Sequence, residues 1–105
     1  GGWYDGNPAR LKPPPDDAVA RETARLCGGP LVLAHRAEEV AAEGDLRMAC
    51  HLAELAGLAA PDDPGVHGIR AAVYRRRRAE ESSLMAKGVY RDAAERSEAV
   101  GGGEA

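Results

Sequence analysis

The sequence predicts an all-α fold of about five helices, stacked as helical hairpins behind a Pro- and Gly-rich strap, and three observations predict it. Apolar residues recur every three or four positions through residues 16–99, the spacing that lines one face of an α-helix. Helix-ending punctuation separates these runs at Gly28-Gly29-Pro30, at Gly44 and at Pro61. No stretch alternates apolar and polar residues as a half-buried strand does.

Composition narrows the function classes. A chain of 105 residues makes one domain, and a formal net charge of −3 is too mildly acidic to imply a polyanionic partner. No nucleic acid is therefore expected. No apolar run approaches the ~18 residues of a membrane span, so no membrane partner is expected either. Alanine dominates, Phe is absent and Trp occurs once. A core built from such small side chains is thin, and burial against another chain or domain would help it. Cys27 and Cys50 form no CxxC or zinc-like grouping and read as small apolar residues on helices. The opening Gly1-Gly2-Trp3-Tyr4 lacks an initiator Met and reads as the inside of a longer protein.

Residues 1–15 carry glycines, an Asp-Gly and an Asn-Pro turn signal and three consecutive prolines, so they are expected to be a strap leading from another domain. Pro13 to Pro15 favour an extended segment of fixed reach. Asp16 or Asp17 is placed to cap a first helix with Val19, Thr23, Leu26 and Cys27 inward, ended by Gly28-Gly29. A second helix begins at Pro30 and carries Leu33, Ala37, Val40 and Ala41 on one face as far as Gly44.

Asp45 caps the third helix, around which the chain is organised. Setting each residue 100° on from the last puts Leu46, Ala49, Ala53, Ala56 and Ala60 on one stripe and Met48, Leu52, Leu55 and Ala59 on another, with Arg47, His51 and Glu54 on a narrow polar face. Such a helix needs cover on two sides. Asp62 or Asp63 before Pro64 opens a fourth helix with Val66, Ile69 and Val73 inward and Tyr74 beside them. Arg75 to Arg78 with Glu80 and Glu81 offer opposite-charge pairs on a continuing helix, or the helix breaks at Ser82-Ser83 and one serine caps a fifth. Leu84, Met85, Val89 and Ala93 give that last segment a weak stripe interrupted by Gly88, and residues 100–105 are expected to be a flexible tail.

Helices two and three are similar to one tetratricopeptide hairpin: Ala37, Val40, the Gly44-Asp45-Leu46 turn, Ala49, Ala56 and Pro61 fall at that pattern's spacings. One period of about 34 residues further on, Ala71 and Tyr74 suit the next repeat, whose second half departs from the pattern. Two hairpins are too few for an independent solenoid. A second copy of the chain would cover the open face through a two-fold interface.

A more specific resemblance covers nearly all of residues 1–100. The opening GGWYDGNPARLKPPP, the Glu43-Gly44-Asp45 turn, Ala60-Pro61-Asp62-Asp63-Pro64 and the SSLMAKGVYR run at 82–91 resemble the dimerisation domain of alkyl sulfatases, zinc hydrolases of the metallo-β-lactamase superfamily. The resemblance implies that residues 16–99 are a homodimerisation domain. It also implies that sulfuric ester hydrolysis, with its zinc, belongs to a catalytic domain outside this chain. It places no catalytic or metal-binding residue here, because the family's metal motif is absent from these residues. It makes Trp3, Tyr4, Asp5 and Asn7 candidates for docking on the catalytic domain. An adaptor that binds a partner's peptide is the alternative.

The remaining chemistry-bearing residues read plainly. His35, His51 and His67 are separated by helix breaks and share no face, so they form no metal site. Cys50-His51 near Glu54 points in divergent directions with no oxyanion-hole loop, which is not a nucleophile arrangement. Four consecutive arginines radiate around a helix instead of making one patch. The candidate dimer interface is Met48, Leu52, Leu55 and Leu58 with Leu84, Met85, Val89 and Tyr90. The first four could equally be the seat of the fourth helix.

Overall fold

The computed structural model describes residues 6, 8–10, 12–81 and 83–102, and among them the regular structure is a short 3-10 turn at Pro8–Arg10 followed by five α-helices. These are α1 (Asp16–Cys27), α2 (Pro30–Ala42), α3 (Leu46–Ala59), α4 (Pro64–Glu80) and α5 (Leu84–Gly102). The strap residues Trp3, Tyr4, Asp5 and Asn7 lie outside the described residues.

Local chemistry explains each boundary. Pro15, in extended conformation, precedes α1 and supplies its carbonyl to Ala18 and Val19; Asp16 and Asp17 lie in the first turn and do not occupy the cap. There they face the positive end of the helix dipole, and Asp17 accepts from Arg21 at 3.0 Å. Gly28 ends the helix at φ +104°, and Gly29 N–H returns to the Ala24 carbonyl at 2.8 Å. The same closure recurs after α2, with Gly44 at φ +96° and Asp45 N–H on the Val40 carbonyl. Asp45 accepts from Met48 N–H, and Asp63 accepts from Gly65 and Val66 N–H, so α3 and α4 begin on side-chain caps. The break after α4 falls at extended Glu81, and Ser83 caps α5 by accepting from Ala86 N–H. Helix α5 runs on through Gly102, into the segment expected to be a tail.

The helices associate in chain order. Helices α2 and α3 form one closely packed hairpin, α4 and α5 another; α4 also lies against α2 and α3, and α1 crosses α3 more than α2. Among the described residues α5 has α4 as its one helix neighbour. Two clusters make the core. Ala37, Val40, Ala41, Leu46, Ala49, Ala53 and Val73 form the first; Ala24, Leu33, Ala34, Ala56 and Val66 form the second; Leu52 and Ile69 touch both. Among the described residues, eleven of the sixteen buried apolar ones are alanine, so the helices approach closely and each contact buries little area.

That close approach corrects the expectation for α1. Its buried residues are Ala20 and Ala24, while Val19, Leu26 and Cys27 are exposed, Leu26 by 87%. Ala24 packs in the cluster that holds Leu33, Ala34, Ala56, Leu52 and Leu55, so the bulk at this contact comes from α2 and α3 and the small residues of α1 face it.

Overpacking the α2–α3 seam tests this account. Ala53 is fully buried in the first cluster, and Ala53→Leu is expected to lower unfolding stability by ~1–3 kcal/mol in urea denaturation with no change of helix content. A neutral effect would show that the seam has spare room.

Candidate pairing surface and its polar support

The structure divides the predicted interface residues into two groups. On α3, Leu52 and Leu55 are half-buried against the cluster that contains Ala24, Leu33 and Ala34. Part of the second stripe is thus covered from within by α1, α2 and also α4, whose Val66 and Ile69 belong to the same cluster, so Leu52 and Leu55 serve in part as the seat of the fourth helix. Met48, one turn before Leu52, stays 48% exposed. Leu58 and Leu55 line an apolar groove of about 370 Å³ with Val19 and with Pro13 and Pro14 of the strap.

On α5, Met85 is 82% and Val89 58% exposed. They lie four residues apart, hence on one side of the helix. Gly88 beside them has no atom within 4 Å of where a Cβ would stand. Tyr90 is engaged inside the chain: its ring stacks on Tyr74 with centroids 6.0 Å apart, and the Arg77 guanidinium sits 5.3 Å from its centroid. A third apolar patch escaped the sequence reading. Leu26, Leu31 and Val32 are exposed around the α1–α2 elbow, where Gly28-Gly29 suggested only a helix end.

Behind these surfaces a polar cluster ties three helices together. Arg70 of α4 donates from Nε and Nη2 to Glu54 Oε2 of α3 at 3.1 and 2.8 Å. Its Nη1 donates to the Ala93 carbonyl at 3.0 Å and to Ser97 Oγ at 2.6 Å on α5. Tyr74 OH donates to the same Glu54 oxygen at 2.8 Å, and its ring lies 4.8 Å beneath the guanidinium. Ser97 Oγ is 3.0 Å from His67 Nδ1, and both residues are buried. Gly57 leaves the necessary room, for a Cβ there would stand 3.0 Å from Arg70 Cδ.

Electrostatics follow from this packing. Burial pushes the Glu54 carboxyl up, but the hydrogen bonds from Tyr74 and Arg70 and the charges of Arg70 and Arg96 outweigh it and hold the pKa below its ordinary value. Burial, with donation to Glu54, raises the Tyr74 hydroxyl. Burial raises the Cys50 thiol as well, the reverse of what a nucleophile needs.

The sequence reading saw Glu54 on a polar face and Tyr74 beside a stripe, and it missed Arg70 and Ser97. The available signal was Arg70 and Tyr74 four residues apart next to the apolar positions of α4. Other residues stand apart from the cluster. His35 lies 3.4 Å from Glu38, and His51 is exposed. No group of His, Cys, Asp or Glu among the described residues is arranged to hold a metal ion. Among the described residues no helix is long and apolar enough to cross a membrane. The arginine run spreads out: Arg75 pairs with Glu98 of α5, Arg76 lines a surface depression with Ala41 and Val73, and Arg77 covers Tyr90.

The family model described as alkyl sulfatase dimerisation matches residues 1–99. No curated protein matches the chain.

A carboxyl whose folded-state pKa is lowered stabilises the fold above its unfolded value, and that contribution is lost as pH falls through the folded value. Glu54, lowered from 4.5, should therefore support the stack at neutral pH and cease to do so in acid. Glu54→Gln is expected to destabilise at pH 7, with the gap from the parent narrowing below roughly pH 4.5 in urea titrations. A gap independent of pH would remove Glu54 from the acid response.

Proposed function

The chain belongs to the alkyl sulfatase dimerisation family, and on that premise we propose that its helices pair two copies of a longer alkyl-sulfatase-like protein. In this reading, zinc-dependent hydrolysis of sulfuric esters is the work of a metallo-β-lactamase-type domain outside these residues. The strap carrying Trp3, Tyr4, Asp5 and Asn7 connects the two. The observation that carries the reading is the match over residues 1–99.

The outer face of α5 supports it physically. Among the described residues α5 packs on α4 alone, which leaves one side of it uncovered. Met85 and Val89 project from it beside Gly88, so a second α5 related by a two-fold axis can approach closely and continue the stack. Leu84 opens the helix one residue before Met85, and its side chain lies outside the described residues. Met48 and the Leu55–Leu58 groove on α3 extend the available apolar surface. Covering this surface also compensates for a core made mostly of alanine, because association stabilises whichever state presents the interface. No observation favours the peptide-adaptor alternative.

Sedimentation equilibrium of the chain is expected to show a dimer at micromolar concentration. Val89→Asp should weaken it at least tenfold, as loss of one well-buried side chain implies. A monomer at high concentration would overturn pairing altogether. Dissociation by Leu55→Asp but not by Val89→Asp would move the seam from α5 to α3.

A further inference from the structure

Helix α5 changes character along its length. Residues 84–91 carry Lys87 and Arg91 and no acid, whereas residues 92–99 carry Asp92, Glu95 and Glu98 against the single Arg96. The first half is therefore basic and the second acidic. Met85 and Val89 also share a stripe with Arg96, which follows at spacings of four and seven residues. Arg96 lies with Glu54 and Leu58 along the cleft between α3 and α5, and its charge acts on Glu54. The exposed apolar pair thus belongs to the side of α5 that looks toward α3.

Two copies of such a helix have a favoured direction. Paired antiparallel about a two-fold axis, each basic half meets an acidic half and the helix dipoles oppose; paired parallel, like charge faces like. The antiparallel arrangement carries the partner's Met85 over the C-terminal half of this α5. Across the cleft from there stands half-buried Leu58. Leu58 is shared with the apolar groove of about 370 Å³ on the strap side of α3, where Leu55, Val19, Pro13 and Pro14 complete the lining. A methionine, unbranched and free to rotate about three bonds, suits an irregular groove of this kind.

We propose that this groove is the seat of the partner's Met85 in a second copy of the chain, and that the reciprocal contact fixes the two α5 helices antiparallel. The inference rests on the pairing reading above and adds to it a direction and a docking site. It also gives the strap a part in the interface, because Pro13 and Pro14 form one wall of the groove.

The test replaces Met85 with the photoreactive p-benzoylphenylalanine, mixes the isotope-labelled chain with an unlabelled copy, irradiates, and maps the adducts by mass spectrometry. Isotope mixing separates links between copies from links within one. Sedimentation of the same sample reports whether it is dimeric. The expected result is a dimer with links between copies at the segment from Pro13 to Val19 or from His51 to Leu58. A dimer whose links fall only at the N-terminal half of the partner's α5 or at the α1–α2 elbow, or that gives none, overturns this seating and leaves pairing intact. A monomer removes the pairing reading, and this inference with it.

Discussion

One guanidinium holds three helices in place. Arg70 reaches Glu54 on α3 and Ser97 and the Ala93 carbonyl on α5 from its own position on α4. A half-buried ion pair stabilises a fold only when the cost of removing its charges from water is recovered by complete hydrogen bonding. Here four of the five guanidinium N–H groups have protein acceptors, and the carboxylate oxygen opposite collects three donors. The apolar residues buried on α4 and α5 outside the two core clusters are small, Ala71, Ala93 and Ala94, beside the Tyr74–Tyr90 stack. The polar cluster makes α5 part of the fold.

Small side chains set both the geometry and its weakness. Alanines along α2 and α3 let the two backbones approach closely, and the Schellman-type closures at Gly28-Gly29 and Gly44-Asp45 fix the turns between helices. The same alanines leave little apolar volume to remove from water. What bulk the chain does carry is unevenly placed, for Leu26, Leu31, Val32, Met85 and Val89 are all turned outward. A domain that hides its small residues and shows its large ones is consistent with a family whose description is dimerisation.

Most of the fold was legible in the sequence because its signals are local. Pro30, Gly44, Asp45, Asp63 and Pro64 act within a few residues of themselves, and the α2, α3 and α4 stripes follow from a period of 3.6. The orientation of α1 was not legible. Val19, Leu26 and Cys27 fit a helical stripe as well as Ala20 and Ala24 do, and the choice is made by packing against α3, whose Leu52, Leu55 and Ala56 lie more than twenty residues away in sequence. The polar cluster was illegible for the same reason. Glu54, Arg70 and Ser97 are separated by 16 and 27 residues, and no local periodicity reports that they converge.

The two ends of α5 carry different duties, and this constrains how the domain can work. Its C-terminal half holds Ser97 and Ala93 against Arg70 and sends Glu98 to Arg75. Its N-terminal half presents Met85 and Val89 outward. A helix is stiff over this length, about 28 Å for nineteen residues at 1.5 Å each, so the tilt set at the Arg70 end is delivered to the apolar end. Disturbing the Glu54–Arg70–Ser97 contacts would therefore move a surface more than one helical turn away without touching it. The polar cluster and the apolar edge are two readouts of one rigid element, and a change at the first is felt as geometry at the second.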